Sequence, residues 1–244
     1  MVKELMKRSI TACWILLALG TAASAQSPSM TPTRLQPQPT DPAQQQLRQA
    51  RSALFDNLFG VAPHYGAAPI ENDSPASPPR FTTAQQLIVP ELPAAFADTI
   101  IVGRITNIQA YESNDQRAIY TESTVQVEQV MSQEAANAVA GGSIVFEQTG
   151  GGLLLPSGRV LTHLSNGLGT PFQQGGRYAF FLTHVTKAQC YRVTKAWWLN
   201  DGTATAMSPD DLGRARNGAS QYNGLPESTF INILKSLQAS YKGN

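Results

Sequence analysis

Cysteine is scarce in this 244-residue chain: there are two, Cys13 and Cys190. Cys13 lies in an N-terminal stretch that reads as a cleavable leader, so the exported chain keeps Cys190 alone and cannot form an intrachain disulfide. That excludes a disulfide-stapled secreted scaffold, and the fold must be held by burial. A lone cysteine among "QCYRV" reads as a small buried hydrophobe rather than a reactive thiol. Charge of one sign is also missing, with 18 Lys and Arg against 17 Asp and Glu. The leader takes Lys3, Lys7, Arg8 and Glu4, leaving 15 basic and 16 acidic residues, a net charge near −1. Nucleic-acid binding wants a clustered basic excess, and attraction to anionic membranes wants the same. Long apolar runs are absent too: the longest, Ile10 to Leu19, is well short of the roughly 20 residues that span a bilayer. No stable membrane anchor is expected.

The N-terminus instead has the three parts of a secretory signal peptide. Lys3, Lys7 and Arg8 form the positive region, the Ile10–Leu19 run follows, and Ala23-Ser24-Ala25 forms the cleavage site. Residues 1–25 are read as this leader, and the product is expected in the periplasm or outside the cell. Residues 26–42 are rich in Pro, Gln, Ser and Thr and read as a disordered or extended lead-in. Residues 43–59 carry Leu47, Ala50, Leu54 and Leu58 at helical spacing, with Asp41 as a cap and Pro42 in the first turn. Residues 60–82 are a Pro-rich linker, 208–225 a loop, and 226–241 an amphipathic helix with Phe230, Ile233, Leu234 and Leu237 on its stripe.

Residues 83–207 read as a β-domain of about seven short strands. "DTIIVGRITNIQAY" and "IYTESTVQVEQV" form a long hairpin, with Gly103 marking a bulge or a close backbone approach. MSQEAANAVAGG, residues 131–142, switches to helix formers. In "GRYAFFLTHV", Tyr178, Phe180 and Leu182 alternate with Ala179 and Phe181. Asn200-Asp201-Gly202 is a hairpin turn. Strands and helices do not alternate at βαβ spacing, so the expected class is mainly β, a small barrel or barrel-like sandwich with flanking helices.

Motifs of chemistry are likewise few. "GGGLLLPSGR", residues 150–159, lacks the lysine and following helix of a phosphate loop and reads as a glycine-rich strand end with a turn. His64, His163 and His184 show no metal-ligand spacing, and no nucleophile elbow exists. Glu122 and Glu128 share a strand face but stand roughly 20 Å apart at the usual strand rise, too far for a glycosidase pair. No cofactor, metal or catalytic set is expected. The residues offered for a ligand surface are aromatic: Trp197 and Trp198, adjacent on one strand so that one ring faces the core and one faces out, with Tyr111 and Tyr120 beside the first hairpin turn.

"IIVGRITNIQAY", "IYTESTVQVEQV", "QTGGG" and "GGRYAFFL" together resemble a domain of unknown function in exported bacterial proteins. That domain is similar to small β-barrels of the oligonucleotide/oligosaccharide-binding or netrin-like kind. The resemblance spans roughly residues 98–198 and implies a bacterial source and export, with no catalytic residues or cofactor. Netrin-like inhibitors use a disulfide-bound N-terminal cysteine, which a chain starting at Gln26 lacks. The expected function is a non-enzymatic exported domain binding an envelope glycan or another exported protein; the alternative is an exported hydrolase acting on an envelope or extracellular polymer.

Overall fold

The computed structural model describes residues 31–56, 90–133, 138, 140–163, 171–208, 218 and 220–241. Residues 1–25, read above as a leader, and residues 60–82, read as a linker, lie outside the described residues. Within the described residues there are nine strands in two sheets and two helices, and no helix is long and apolar enough to cross a membrane.

The core is a partly closed barrel. Strands β2 (Thr99–Glu112), β3 (Ile119–Gln133) and β4 (Ser143–Thr149) form an antiparallel meander. β7 (Arg177–Val185) pairs antiparallel with β2, and β8 (Cys190–Asn200) pairs with β7. The ring closes where β8 meets β4 in parallel, through Phe146↔Tyr191 and Glu147↔Arg192. β9 (Thr203–Ala206) continues the sheet beyond the other end of β8. A smaller sheet holds β1 (Thr33–Arg34), β5 (Gly151–Leu154) and β6 (Val160–His163), in the order β1-β5-β6.

Alternation of side chains sorts these residues onto two faces. Tyr178, Phe180 and Leu182 of β7 point into the barrel with Ile105, Val125, Phe146, Phe172 and Ala196. Ala179 and Phe181 point outward, beneath helix α2 (Glu227–Tyr241). Rings pack edge-on or tilted inside, as between Phe172 and Tyr178, whose centroids are 5.1 Å apart. Gly103 serves both purposes expected of it. The β2–β3 register shifts between Val102 and Gly103, and a Cβ there would lie 2.5 Å from a Val125 methyl. No side chain fits where β2 crosses β3 so closely.

The "GGGLLLPSGR" stretch is a strand and a turn. Gly151 starts β5 at φ 149°, where a Cβ would meet the Thr121 hydroxyl at 2.5 Å. Leu155 and Gly158 then close the turn into β6.

Three expectations need correction. Part of the lead-in is extended and ordered, not disordered: Thr33 and Arg34 add to β5 in parallel. The Thr33 hydroxyl accepts from the Ala110 amide at 2.8 Å and from Gln109 Nε2 at 3.0 Å, and Leu35 donates to the Leu154 carbonyl at 3.1 Å. These partners come from residues far along the chain, so composition alone could not reveal them. Second, residues 131–133 are not helical. β3 continues to Gln133 because Ser132 and Gln133 pair with Ile100 and Thr99, while Met131 is buried beside α2's apolar cluster. Third, the first helix, α1, spans Pro42–Ser52 and then loosens into turns through Asp56, with Asp41 capping as expected. Residues 57–59 lie outside the described residues.

Candidate functional site

The four aromatic residues singled out from sequence do not form one surface. Trp197 points away from the barrel interior but is fully buried, packed on Phe230 of α2 at a centroid distance of 5.1 Å. Its indole N–H donates to the Glu91 carbonyl at 3.2 Å. Trp198 points the other way, half-buried against the interior cluster and stacked on Tyr178. The two rings take opposite faces as expected, and the outer one is packed under the C-terminal helix rather than left for a ligand. Tyr120 is fully buried and stacks on Phe55, with centroids 4.7 Å apart and planes 7° from parallel. Tyr111 is half-buried, and the Arg48 guanidinium carbon sits 4.1 Å above its ring. Tyr111 and Tyr120 are neighbours, at 5.7 Å, beneath α1; the tryptophans belong elsewhere.

The histidines are also separated. His163 belongs to β6 of the small sheet and His184 to β7 of the barrel. The His184 ring lies 5.0 Å from that of Tyr191, and its amide donates to Asp98 at 2.8 Å. Among the described residues no group of three or more His, Cys, Asp or Glu is placed to hold a metal.

What the fold does bring together is a polar cluster that sequence spacing did not show. In β4, Ile144 and Phe146 point inward, so Glu147 points outward. Antiparallel pairing places Glu122 of β3 directly opposite it, which sets the two Cβ atoms about 4.5–5.5 Å apart on one face. From the parallel neighbour β8, Tyr191 points inward, so Cys190 and Arg192 join the outer face. Helix α1 lies over this patch. Arg51 donates from Nη1 to Glu122 Oε2 at 2.8 Å, and its Nε approaches Glu147 Oε1 at 3.8 Å. It also donates to the carbonyls of Ala188 and Gln189 at 3.1 and 3.3 Å.

Burial governs the chemistry here. Glu147 is 3% exposed, and neither of its oxygens has a well-formed hydrogen bond. Burial, helped by the Glu122 charge, pushes its carboxyl up to about 7 despite the opposing pull of Arg51, the Cys190 thiol and Arg192. Burial and then the neighbouring Glu147 charge push the Cys190 thiol up to about 12, so it stays protonated and unreactive at neutral pH. Tyr120 is raised for the same reasons, burial first and the Glu122 charge second.

The face that α1 sets against the barrel was also unexpected. Arg48, Arg51, Ser52 and Phe55 make the contacts, a helical stripe of mostly polar residues. Of the predicted apolar residues, Phe55 and Leu54 pack against the barrel, in the cluster with Tyr120, but Leu47 and Ala50 do not. Ala43, Leu47 and Ala50 instead line an open concavity of about 950 Å³ together with Asn114, Lys187 and Gln189. The signal was present in the sequence, since positions 48, 51, 52 and 55 repeat at helical spacing.

No known family model matches the chain, and no curated protein is similar to it.

Proposed function

We propose that this chain is an exported, non-enzymatic β-barrel domain that binds another exported protein at the concavity beside α1. One observation carries the reading. The helix is docked through its polar stripe, which leaves Ala43, Leu47 and Ala50 on the wall of an open hollow. An amphipathic helix normally turns its apolar stripe to its own core; one left on an open surface suits a partner. Lys187 is the one charged residue among those lining the hollow, which fits a weakly charged partner and a chain with little long-range field.

A protein is favoured over a glycan because no aromatic ring lines the hollow, and the four aromatic candidates are packed against other groups. The order of the five barrel strands supports the resemblance to oligonucleotide/oligosaccharide-binding or netrin-like barrels: an antiparallel meander, then two strands of which the last closes in parallel on the third. Export rests on the leader-like N-terminus.

Photo-crosslinking side chains placed at Leu47 and at Ala50 in the exporting cell test the proposal, with Val160, exposed elsewhere on the small sheet, as the reference position. One discrete protein adduct at 47 and 50, absent at 160 and lost from the position-50 label on adding Leu47→Asp, is the expected result. Adducts of equal yield at all three positions, or glycan binding by the purified chain that Leu47→Asp leaves intact, would overturn it.

A further inference from the structure

The cluster beneath α1 holds more negative charge than its contacts compensate. One guanidinium, Arg51, faces two carboxylates, and its donors are already taken by Glu122 and by the carbonyls of Ala188 and Gln189. Glu147 Oε1 is left at 3.8 Å from Arg51, beyond hydrogen-bond reach, and the carboxyl's one other polar neighbour beneath the helix is the weakly donating Cys190 thiol. The other ionisable groups facing the patch are Arg48 from α1, Tyr111 from β2, Tyr120 from β3, and Cys190 and Arg192 from β8. The tyrosines and the thiol are neutral near pH 7, because burial raises all three. Arg48 is engaged with the Tyr111 ring. Arg192 is exposed, so water screens its charge, and within the buried cluster balance is reached when Glu147 carries a proton: Arg51 then matches Glu122 one to one.

Elsewhere the segment is held at its two ends, where Thr33 and Arg34 also bond to Gln109 and Ala110 and where the Asp115 amide donates to Asp56. Two residues of β1 pair with β5, Phe55 stacks on Tyr120, and Asn114 donates to the Gln49 carbonyl and to Asp56 at 3.1 and 3.2 Å.

We propose that Glu122, Glu147 and Arg51 form a proton-operated latch, which holds the 31–56 arm against the barrel while Glu147 is protonated and loosens it when that proton leaves. The direction follows from what each group gains. Ionised Glu147 needs water, which α1 excludes; lifting α1 restores it. Arg51 pulls the other way, but burial outweighs it, since the carboxyl is raised overall to about 7. A group raised in the closed state binds a proton there that it has lost in the open state. The closed arm is thus favoured fully below the ordinary value of 4.5 and loses that advantage as pH rises toward 7. Because α1 forms one wall of the neighbouring hollow, opening also dismantles that hollow, but the latch stands without any partner.

Hydrogen exchange on the full exported chain, without a partner, tests it. After correction for intrinsic exchange, the protection of the α1 amides should fall by up to about tenfold per pH unit between about pH 5 and 7. Amides of β2 and β7 should keep theirs. Glu147→Gln should flatten the α1 profile at its high-protection end. Glu122→Gln frees Arg51 for Glu147 and should move the fall to lower pH, which keeps the test open if the first variant folds poorly. A flat wild-type profile, a slope that Glu147→Gln retains, or a parallel loss in β2 and β7 would overturn the latch.

Discussion

Two helices cover the outside of this barrel, and they are held by opposite means. α2 sits on an apolar bed of Trp197, Phe181, Ala204 and Ala206, into which Phe230, Ile231 and Leu234 are buried. α1 sits on carboxylates, a thiol and a tyrosine, joined by one arginine and one stacked phenylalanine. Apolar burial has no pH dependence, and salt changes it little. Buried charge has both dependences, and it is balanced only in one protonation state. α2 is built as part of the core and α1 as a fastening. Salt bridges around α2 sit at its rim: Arg177 meets Glu128 and Glu227, each partly open to solvent, so they add little to the apolar contact.

Substitutions should separate the two. The largest effect is expected from Trp197→Ala, which removes a fully buried ring from under α2. It should lower stability by about 3–5 kcal/mol in denaturant melts, the range for a large buried aromatic, and the loss should be the same at pH 5 and pH 8. Next comes Arg51→Met, which keeps much of the stem's packing while leaving two carboxylates without a cation. A loss of about 1.5–3 kcal/mol is expected, the usual weight of hydrogen bonds to charged groups. Protease should then nick the arm near α1 while the barrel fragment persists. A barrel that unfolds together with the arm would remove the distinction drawn between the helices. The smallest effect belongs to Glu227→Gln, which weakens a half-open ion pair with Arg177; calorimetry should register a change of about 0.2–1 kcal/mol, shrinking as salt is raised.

The difference between the helices also marks what the sequence could disclose. Local periodicity disclosed the apolar side. The alternation in "RYAFFL" assigns Tyr178, Phe180 and Leu182 to one face and Ala179 and Phe181 to the other, and both assignments hold because strand period depends on neighbours alone. The Asp201-Gly202 turn was legible for the same reason: both residues have positive φ, 50° and 73°, as a two-residue hairpin of this type demands. The α2 stripe was read nearly in phase; Ile231 rather than Ile233 completes the buried face.

The polar side was not legible. Glu122 and Glu147 are 25 positions apart, and which residue of β4 faces Glu122 depends on a register fixed across the 134–142 connection. The approach of Cys190 and Arg192 depends on the parallel contact that closes the barrel, a pairing of distant strands with no local signature. For α1, periodicity left open whether the helix packs on the barrel at all; it does, through Arg51 on the carboxylates, Arg48 on the Tyr111 ring and Phe55 on Tyr120, contacts that depend on residues far along the chain. The Trp197–Trp198 pair was read correctly as two rings on opposite faces; that α2 lies across the outer one is tertiary information.

α1 is fastened over a buried carboxyl that stays protonated until near-neutral pH. The most direct test is the titration of Glu147 itself, followed through the side-chain carboxyl carbon by NMR in the folded chain, with Glu147→Gln fixing the assignment. A midpoint of about 7 is expected. A midpoint at the ordinary carboxylate value of 4.5 or below would show Glu147 ionised in the closed state, and would contradict both the fastening and the latch built on it.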